Sequence, residues 1–324
     1  MTKKDVFLGI DLGGTKTAVC IADGQGHIHR TERFPTLADL DAKQWLPRVH
    51  ETAERLLAKE GLTFSSLSGV GAAVPGPMSV REGLILGPPN MPGWKNVPIR
   101  DWLESLAGRP VEINNDANAA ALAEYRFGEF RGVPDLVYLT MSTGIGAGVI
   151  SGGRLVQGAN DLGGEVGHVT LDPCGPPCPC GLRGCFERYC GGRSFLERVR
   201  ARMAESPGSR LHALHGGDSG RLLVTDVARA AAEGDPLAAE MWDEYIERLA
   251  QGIGMVVMSF NPAAIVMGTI AIHLGSNLID PLQKRLPRYA WRRAIDVLRI
   301  APSALGERIG ELGAIALALQ QATP

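Results

Sequence analysis

VFLGIDLGGTKTAVCIADGQGHIHRTERF (residues 6–34) sets the fold, because it reads as three short strands joined by two glycine turns. Val6 to Ile10 is apolar and β-rich, DLGG turns the chain, TKTAVCIAD runs back, GQG turns it again, and HIHRTERF follows. The same order returns at LVYLTMSTGIGAGVISGGRLVQG (residues 136–158): strand, glycine turn STGIGAG, strand VIS, glycine turn, and RLVQG as a third strand. The two passages share order without obvious residue identity, the pattern of an internal duplication with two similar domains and a cleft between them. A chain of 324 residues is also longer than one ordinary core serves.

Between and after these passages, strands and helices alternate, so the class is α/β. A helix is predicted over 39–60, with Trp45, Val49, Ala53 and Leu56 at helical spacing. SGVGAAVPG (68–76) is a buried strand ending in a loop, GPPNMPGW (87–94) is a further loop, and VEINNDANAAALAEYRFG (111–128) is a strand running straight into a helix. The chain turns helical after 186. Asp235 before Pro236 is a strong helix start, with Met241, Tyr245, Leu249 and Ile253 on one face and a stop before Asn261-Pro262. AAIVMG (263–268) follows as a buried strand, and GELGAIALALQQA closes the chain as a helix.

The charge is nearly balanced, 33 basic against 35 acidic side chains for a net of -2, which excludes a general nucleic-acid binder. No stretch approaches the roughly 20 apolar residues needed to span a bilayer. The N-terminal apolar run is too short for a signal peptide and is interrupted by Asp11, so the cytoplasm is the expected location and no membrane partner is expected. Five of the six cysteines lie between positions 174 and 190, a clustering that points to metal in a cytosolic chain. Cys20 stands alone in an apolar strand and reads as a small core residue.

Four groups of residues can carry chemistry. Asp11 with Gly13, Gly14 and Thr15 places a carboxylate beside backbone amides that can approach an anion, although DLGG serves equally as a plain hairpin turn. The second group is Ser142, Thr143, Gly144, Gly146 and Gly148, again hydroxyls and amides in a row. It lacks the following helix of a dinucleotide fingerprint, and the chain has no Gly-Lys pair for a Walker loop. Asp116 stands where an apolar strand meets an alanine-rich helix, a place for a proton acceptor or for a helix N-cap. HVTLDPCGPPCPCGLRGCFE (168–187) offers His168, Cys178, Cys180 and Cys185 as one nitrogen and three sulfurs for a structural zinc, with Cys174 a rival fourth ligand.

DLGGTK (11–16), NNDANAAALAE (114–124), STGIGAGVISGGRLVQG (142–158), GGEVGH (163–168) and CPCGLRGCFE (178–187) together resemble the ROK family of sugar kinases and related repressors, over nearly the whole chain. The resemblance implies two ribonuclease-H-like domains of the actin/hexokinase type flanking a cleft. Residues 1–117 would form the first, completed by a C-terminal helix at 310–324, and 118–309 the second, carrying the zinc loop. It implies Asp116 as catalytic base, with Asn115, Asp116, Glu165, His168, Glu187 and Asn90 around the sugar. Asp11, Gly13, Gly14, Thr15, Lys16, Thr143, Gly144 and Gly268 would hold the nucleotide phosphates, and Asp11 would lie near Mg²⁺.

His168 would bind zinc through one ring nitrogen and turn its other edge to the sugar. The expected reaction is transfer from MgATP to the 6-hydroxyl of an aldohexose, glucose first, with N-acetylmannosamine, N-acetylglucosamine or another hexose as the alternative. A homodimer or homotetramer is the expected assembly. A sugar-responsive regulator without catalysis is the remaining reading. It is disfavoured because only ten residues precede Asp11, too few for a helix-turn-helix, and because Asp116 is intact. One departure bears on the donor: Gly268 is followed by Thr269, where the family has a second glycine. Cys174 and Cys190 are outside the family pattern.

Overall fold

A computed structural model describes residues 5–39 and 41–322. The outer residues of the expected 1–117 and 310–324 segments, 1–4 and 323–324, lie outside the described residues, as does residue 40. Among the described residues, twelve strands run in chain order as β1 (Val6–Leu12), β2 (Lys16–Asp23), β3 (Ile28–Pro35), β4 (Gly69–Val74), β5 (Met78–Ser79), β6 (Leu84–Ile85), β7 (Glu112–Asn115), β8 (Leu136–Met141), β9 (Ile145–Ser151), β10 (Arg154–Leu155), β11 (Ala264–Met267) and β12 (Arg299–Pro302). The helices are α1 (Trp45–Lys59), α2 (Ile99–Ala107), α3 (Asp116–Phe127), α4 (Phe186–Cys190), α5 (Gly192–Met203), α6 (Val224–Ala232), α7 (Pro236–Phe260), α8 (Ile270–Leu274), α9 (Ser276–Arg285), α10 (Arg292–Ile295) and α11 (Ile309–Ala318).

The repeat in the sequence becomes a repeat in topology. One five-stranded sheet has the order β3-β2-β1-β4-β7 and the other β10-β9-β8-β11-β12. In each, the first three strands form an antiparallel meander and the last two add in parallel to the first. The class is α/β, with two similar ribonuclease-H-like units.

Alanine and glycine set how the units join. α3 follows the edge strand of the first sheet but packs on β8 and β9. α11 follows the edge strand of the second sheet but packs on β1 and β4. The two helices lie against each other between the sheets. Such doubly covered helices need thin side chains, and Ala119, Ala120, Ala121, Ala314, Ala316 and Ala318 are all buried. Glycines remove the last obstacle: a Cβ on Gly71 would stand 2.2 Å from the Ala314 carbonyl, and one on Gly148 2.4 Å from that of Ala117. On the far side of the first sheet α1 closes a core in which Trp45 meets Trp94 edge-on at 5.4 Å. The second core is larger and built from α4 to α9, with the predicted face Met241, Tyr245, Leu249 and Ile253 buried along α7.

Three expectations shift. The helix predicted from 39 begins as a 3-10 turn at Ala42–Gln44, capped by the Asp41 side chain, and becomes α-helical at Trp45. RLVQG keeps only two strand residues, because the chain leaves the sheet for a tight turn closed by the Gly163 amide on the Gln157 carbonyl at 2.7 Å. STGIGAG is not wholly a turn: β9 already starts at Ile145, and Gly148 serves the packing of α3 rather than any anion. Asn261 ends α7 in the left-handed region, φ 45°. Among the described residues no helix is long and apolar enough to cross a membrane.

Candidate active site between the two sheets

β1, β4 and β7 are parallel, so the DLGG turn and residue 116 lie at one end of the first sheet. β8, β11 and β12 likewise bring the Ser142 turn and Gly268 to one end of the second.

The junction that carries Asp116 is fixed by asparagines. Asn115, not Asp116, is the N-cap of α3: its Oδ1 accepts the Asn118 amide at 2.7 Å. Asn114 Oδ1 accepts from Asn118 Nδ2 at 2.9 Å and from the Asn115 amide. Asp116 is thereby relieved of capping and becomes the first helical residue. Its carboxyl is open to solvent on one side and hemmed in by protein on the others. That loss of water holds its pKa above the ordinary carboxylate range, against the pull of the Ala117 amide at 2.8 Å.

Asp11 is more constrained. A Cβ on Gly310 would lie 2.1 Å from its Oδ2, so the start of α11 presses on the carboxylate. Burial first, then the charges of Glu311 and Asp116, push its pKa to about 7, while Lys16 and Arg33 pull it down. Glu311 is itself buried and held by Arg33, whose Nε donates at 2.9 Å. The turn after Asp11 is buttressed from the core. Trp45 Nε1 donates to Thr17 Oγ1 at 2.8 Å, Thr17 Oγ1 lies 2.9 Å from Thr36 Oγ1, and Thr36 Oγ1 donates to the Gly13 carbonyl at 2.7 Å. Asn90 lies over the same turn, since a Cβ on Gly14 would meet its Nδ2 at 2.5 Å. Thr15 and Lys16 are exposed beside it.

The second turn is held differently. The Glu187 carboxylate accepts the Ile145 amide at 2.8 Å and leaves no room for a Cβ on Gly144. The Gly192 and Arg193 amides, at the start of α5, donate to the Ser142 and Thr143 carbonyls at 2.9 and 3.1 Å. The side chains of Ser142 and Thr143 stay exposed. Gly268 accommodates the Tyr138 hydroxyl, which would stand 2.2 Å from a Cβ there. Thr269 then adopts φ 41°, ψ −90°, a conformation suited to glycine.

The ligand atoms of His168, Cys178, Cys180 and Cys185 all lie within 4.8 Å of one another, with His168 Nδ1 3.7 Å from Cys178 Sγ. Three sulfurs and one imidazole nitrogen so gathered fit a tetrahedral zinc. Cys174 is exposed and outside this group, and Cys190 and Cys20 are buried in the cores. The 3-10 turn carrying His168 is pressed onto β9, where a Cβ on Gly167 would sit 2.1 Å from the Ile145 carbonyl. Glu165 is exposed at the head of that turn. Crowding by protein raises its pKa, His168 opposes the rise, and the charges of Asp116 and Glu187 add to it. Glu165, Asp116, His168 and Glu187 therefore share one electrostatic neighbourhood, and Asp116 links it to Asp11.

Sequence reasoning missed the supports: Glu311 with Arg33, the Trp45–Thr17–Thr36 chain, and the bond from Glu187 to β9. Only Glu311 left a local sign, a lone carboxylate inside the apolar run GELGAIALAL.

The sequence matches the ROK family over residues 7–321, and the chain belongs to that family. It is 31% identical to a glucokinase of Thermotoga maritima over 96% of both chains. Among solved structures it resembles a ROK hexokinase from Thermus thermophilus, with TM-score 0.83 and 34% identity over 98% of this chain and 99% of that one. A ROK family glucokinase from Streptomyces griseus, in complex with glucose and AMPPNP, gives TM-score 0.79 and 30% identity over 97% and 99%. Other relatives differ in role: an N-acetylmannosamine kinase of Shigella flexneri is 32% identical over 81% and 82% of the two chains. A xylose repressor of Caldicellulosiruptor bescii is 30% identical over 98% of this chain and 79% of its own.

Proposed function

We propose that this chain is a hexose kinase that transfers the terminal phosphoryl group of MgATP to the 6-hydroxyl of an aldohexose, with glucose as the first substrate. The observation that carries the reading is Asp116, relieved of capping by Asn115, at the head of α3 and in the same electrostatic neighbourhood as Asp11, Glu165 and Glu187. A carboxylate there accepts the proton of the sugar hydroxyl as that oxygen attacks phosphorus. A raised pKa makes it a better base once deprotonated. Asn90, Asn115, Glu165, Glu187 and the free edge of His168 orient the remaining hydroxyls. Gly13, Gly14, Thr15, Lys16, Thr143, Gly144 and Gly268 take the phosphates from both sides. Closure of the two units over both substrates excludes water, which would otherwise accept the phosphoryl group.

Mg²⁺ would be held at Asp11, where a crowded carboxylate beside two other acids suits a cation, and would neutralise phosphate charge. Zinc on His168, Cys178, Cys180 and Cys185 would fix the wall of the sugar site. The division of the chain at 117, with α11 returned to the first unit, is part of the same reading and is supported by the packing of α11 on β1 and β4. The cytoplasm is its proposed location.

The Streptomyces griseus neighbour bound to glucose and AMPPNP supports glucose and ATP. The N-acetylmannosamine kinase supports the alternative of an N-acetylhexosamine. A panel of glucose, mannose, N-acetylmannosamine and N-acetylglucosamine in a coupled ADP-release assay tests the choice. Fastest turnover is expected on glucose, and no turnover on any sugar would leave only the regulator reading.

A further inference from the structure

The loop between β10 and the His168 turn carries an acid that no part of the catalytic reading uses. Asp161 sits at φ 66°, in the left-handed region that aspartate tolerates better than most residues, on a turn bounded by the Gly163-to-Gln157 bond. Its Oδ2 accepts the Val80 amide at 2.8 Å and the Arg81 amide at 3.3 Å, with Ser79 Oγ at 3.5 Å. Those three residues form the tip of the β5–β6 hairpin, which belongs to the first half of the chain. Arg81 reaches back and donates from Nη2 to the Ala159 carbonyl at 3.3 Å.

The hairpin tip is polarised to receive this acid. On its other side the Arg100 guanidinium, from α2, donates to the Val80 and Arg81 carbonyls. The carbonyls thus face a cation in their own half and the amides face an anion from the other half. A carboxylate accepting two backbone amides is a charge-assisted contact, stronger than a neutral one.

Each end of the contact leads to one wall of the sugar site. From the hairpin, Ile85 pairs with Val97, and the loop between them carries Asn90 over Gly14. From Asp161, four residues of chain lead to Glu165 and seven to His168.

We infer that Asp161 is a positioning residue, whose carboxylate clasps the β5–β6 hairpin to the second half of the molecule and so sets the distance between the Asn90 wall and the Glu165–His168 wall of the sugar site. This rests on the hexose-kinase reading. The clasp lies on the loops that carry the hydroxyl-binding groups, and Asp161 itself bonds only Ser79, Val80 and Arg81, not a residue of either glycine turn.

The test uses the full chain with Asp161→Ala and Asp161→Asn, and two measurements. Hydrogen exchange at the Val80 and Arg81 amides reads the clasp without any substrate; about tenfold faster exchange is expected in Asp161→Ala, with a smaller change in Asp161→Asn, which keeps one acceptor oxygen. Steady-state kinetics reads the consequence: KM for glucose rises about tenfold in Asp161→Ala, kcat and KM for ATP stay within about twofold of the wild type, and Asp161→Asn recovers part of the loss. Unchanged exchange would mean that the clasp does not exist. Faster exchange with an unchanged sugar KM, or a parallel fall in kcat, would overturn the positioning role. A wild-type chain that phosphorylates no hexose removes the reading underneath, and shows itself before any variant is made.

Discussion

The two glycine turns occupy equivalent places in two sheets of identical strand order, yet they are built with opposite chemistry. The turn after β1 follows a crowded carboxylate, Asp11, whose neighbours Glu311 and Asp116 are acids, and it is braced from the apolar core through Trp45, Thr17 and Thr36. The turn after β8 has no acid of its own. It is gripped from outside by Glu187 and by the first amides of α5, both attached to the cysteine loop. The two sheets share a frame, and the two turns differ in what they offer. One turn gathers negative charge suited to a cation and a base, while the other is a cradle of backbone amides and hydroxyls held by residues that follow the His168–Cys185 cluster.

The largest effect expected lies on the acidic side. Asp116→Ala should lower kcat by about a thousandfold, the range for removing a general base, while sugar affinity changes little. A coupled ADP assay beside glucose-binding calorimetry separates the two quantities. Near-normal turnover would erase the distinction between an acidic, reactive side and a neutral one.

Next is the cysteine loop. Cys180→Ser takes away one of the four proposed zinc ligands and should cost on the order of 3 kcal/mol of stability, with a lower zinc content by atomic emission. Local readouts sharpen the contrast between the turns. Exchange of the Ile145 amide, held by Glu187, should accelerate, while that of the Gly13 amide, bonded to the Lys16 carbonyl at 3.0 Å, should not. A stable, metal-free variant with both amides unchanged would show that the second turn does not lean on the loop.

Asp11→Asn tests the first turn directly, and its effect has a sign. The folded-state pKa of about 7 is above the ordinary 3.8, so as pH rises the unfolded chain releases this proton first. Between those values the native state holds more protons, and stability falls as pH rises. Asparagine removes that penalty. Without divalent cations the variant should be more stable than the wild type by on the order of 2 kcal/mol at pH 8, discounted for partial exposure, with the gain shrinking as pH falls toward 4. Thermal melts from pH 5 to 8 measure it, and a gain that grows on acidification would contradict the assigned cause.

Much of this contrast could be read from the chain. The repeated strand–turn order, the alanine-rich segment after Asp116 and the His168–Cys185 cluster are local patterns, and local patterns survive in sequence. The braces are not local. Arg33 meets Glu311 across 278 residues, a contact that exists only once α11 has returned to the first sheet, and Ser303, at the exit of β12, meets Glu124 of α3 across 179. Asn115 and Asp116 show the finer limit: either residue type caps a helix, and only backbone geometry gives the cap to Asn115 and leaves Asp116 exposed to the cleft. Gly148 shows the same at a turn, because a glycine that admits a helix and one that admits an anion look alike in sequence.

The smallest expected effect concerns the exit of β11, the counterpart of β4 in the second sheet. Gly268 is required there by the Tyr138 hydroxyl, but Thr269 holds φ 41° with an exposed side chain that makes no capping hydrogen bond to α8. Neither burial nor capping offsets the strain of a β-branched residue in that region, which costs about 1–3 kcal/mol. Glycine would relieve it, at a cost of roughly 0.4–1 kcal/mol from the freer unfolded chain. Thr269→Gly should therefore stabilise the protein by about 1 kcal/mol and raise the melting temperature by roughly 2 °C. A melting temperature that falls instead would mean that the threonine side chain stabilises the second sheet's exit. The neutral cradle would then include a contact of its own in addition to the grip of Glu187 and α5.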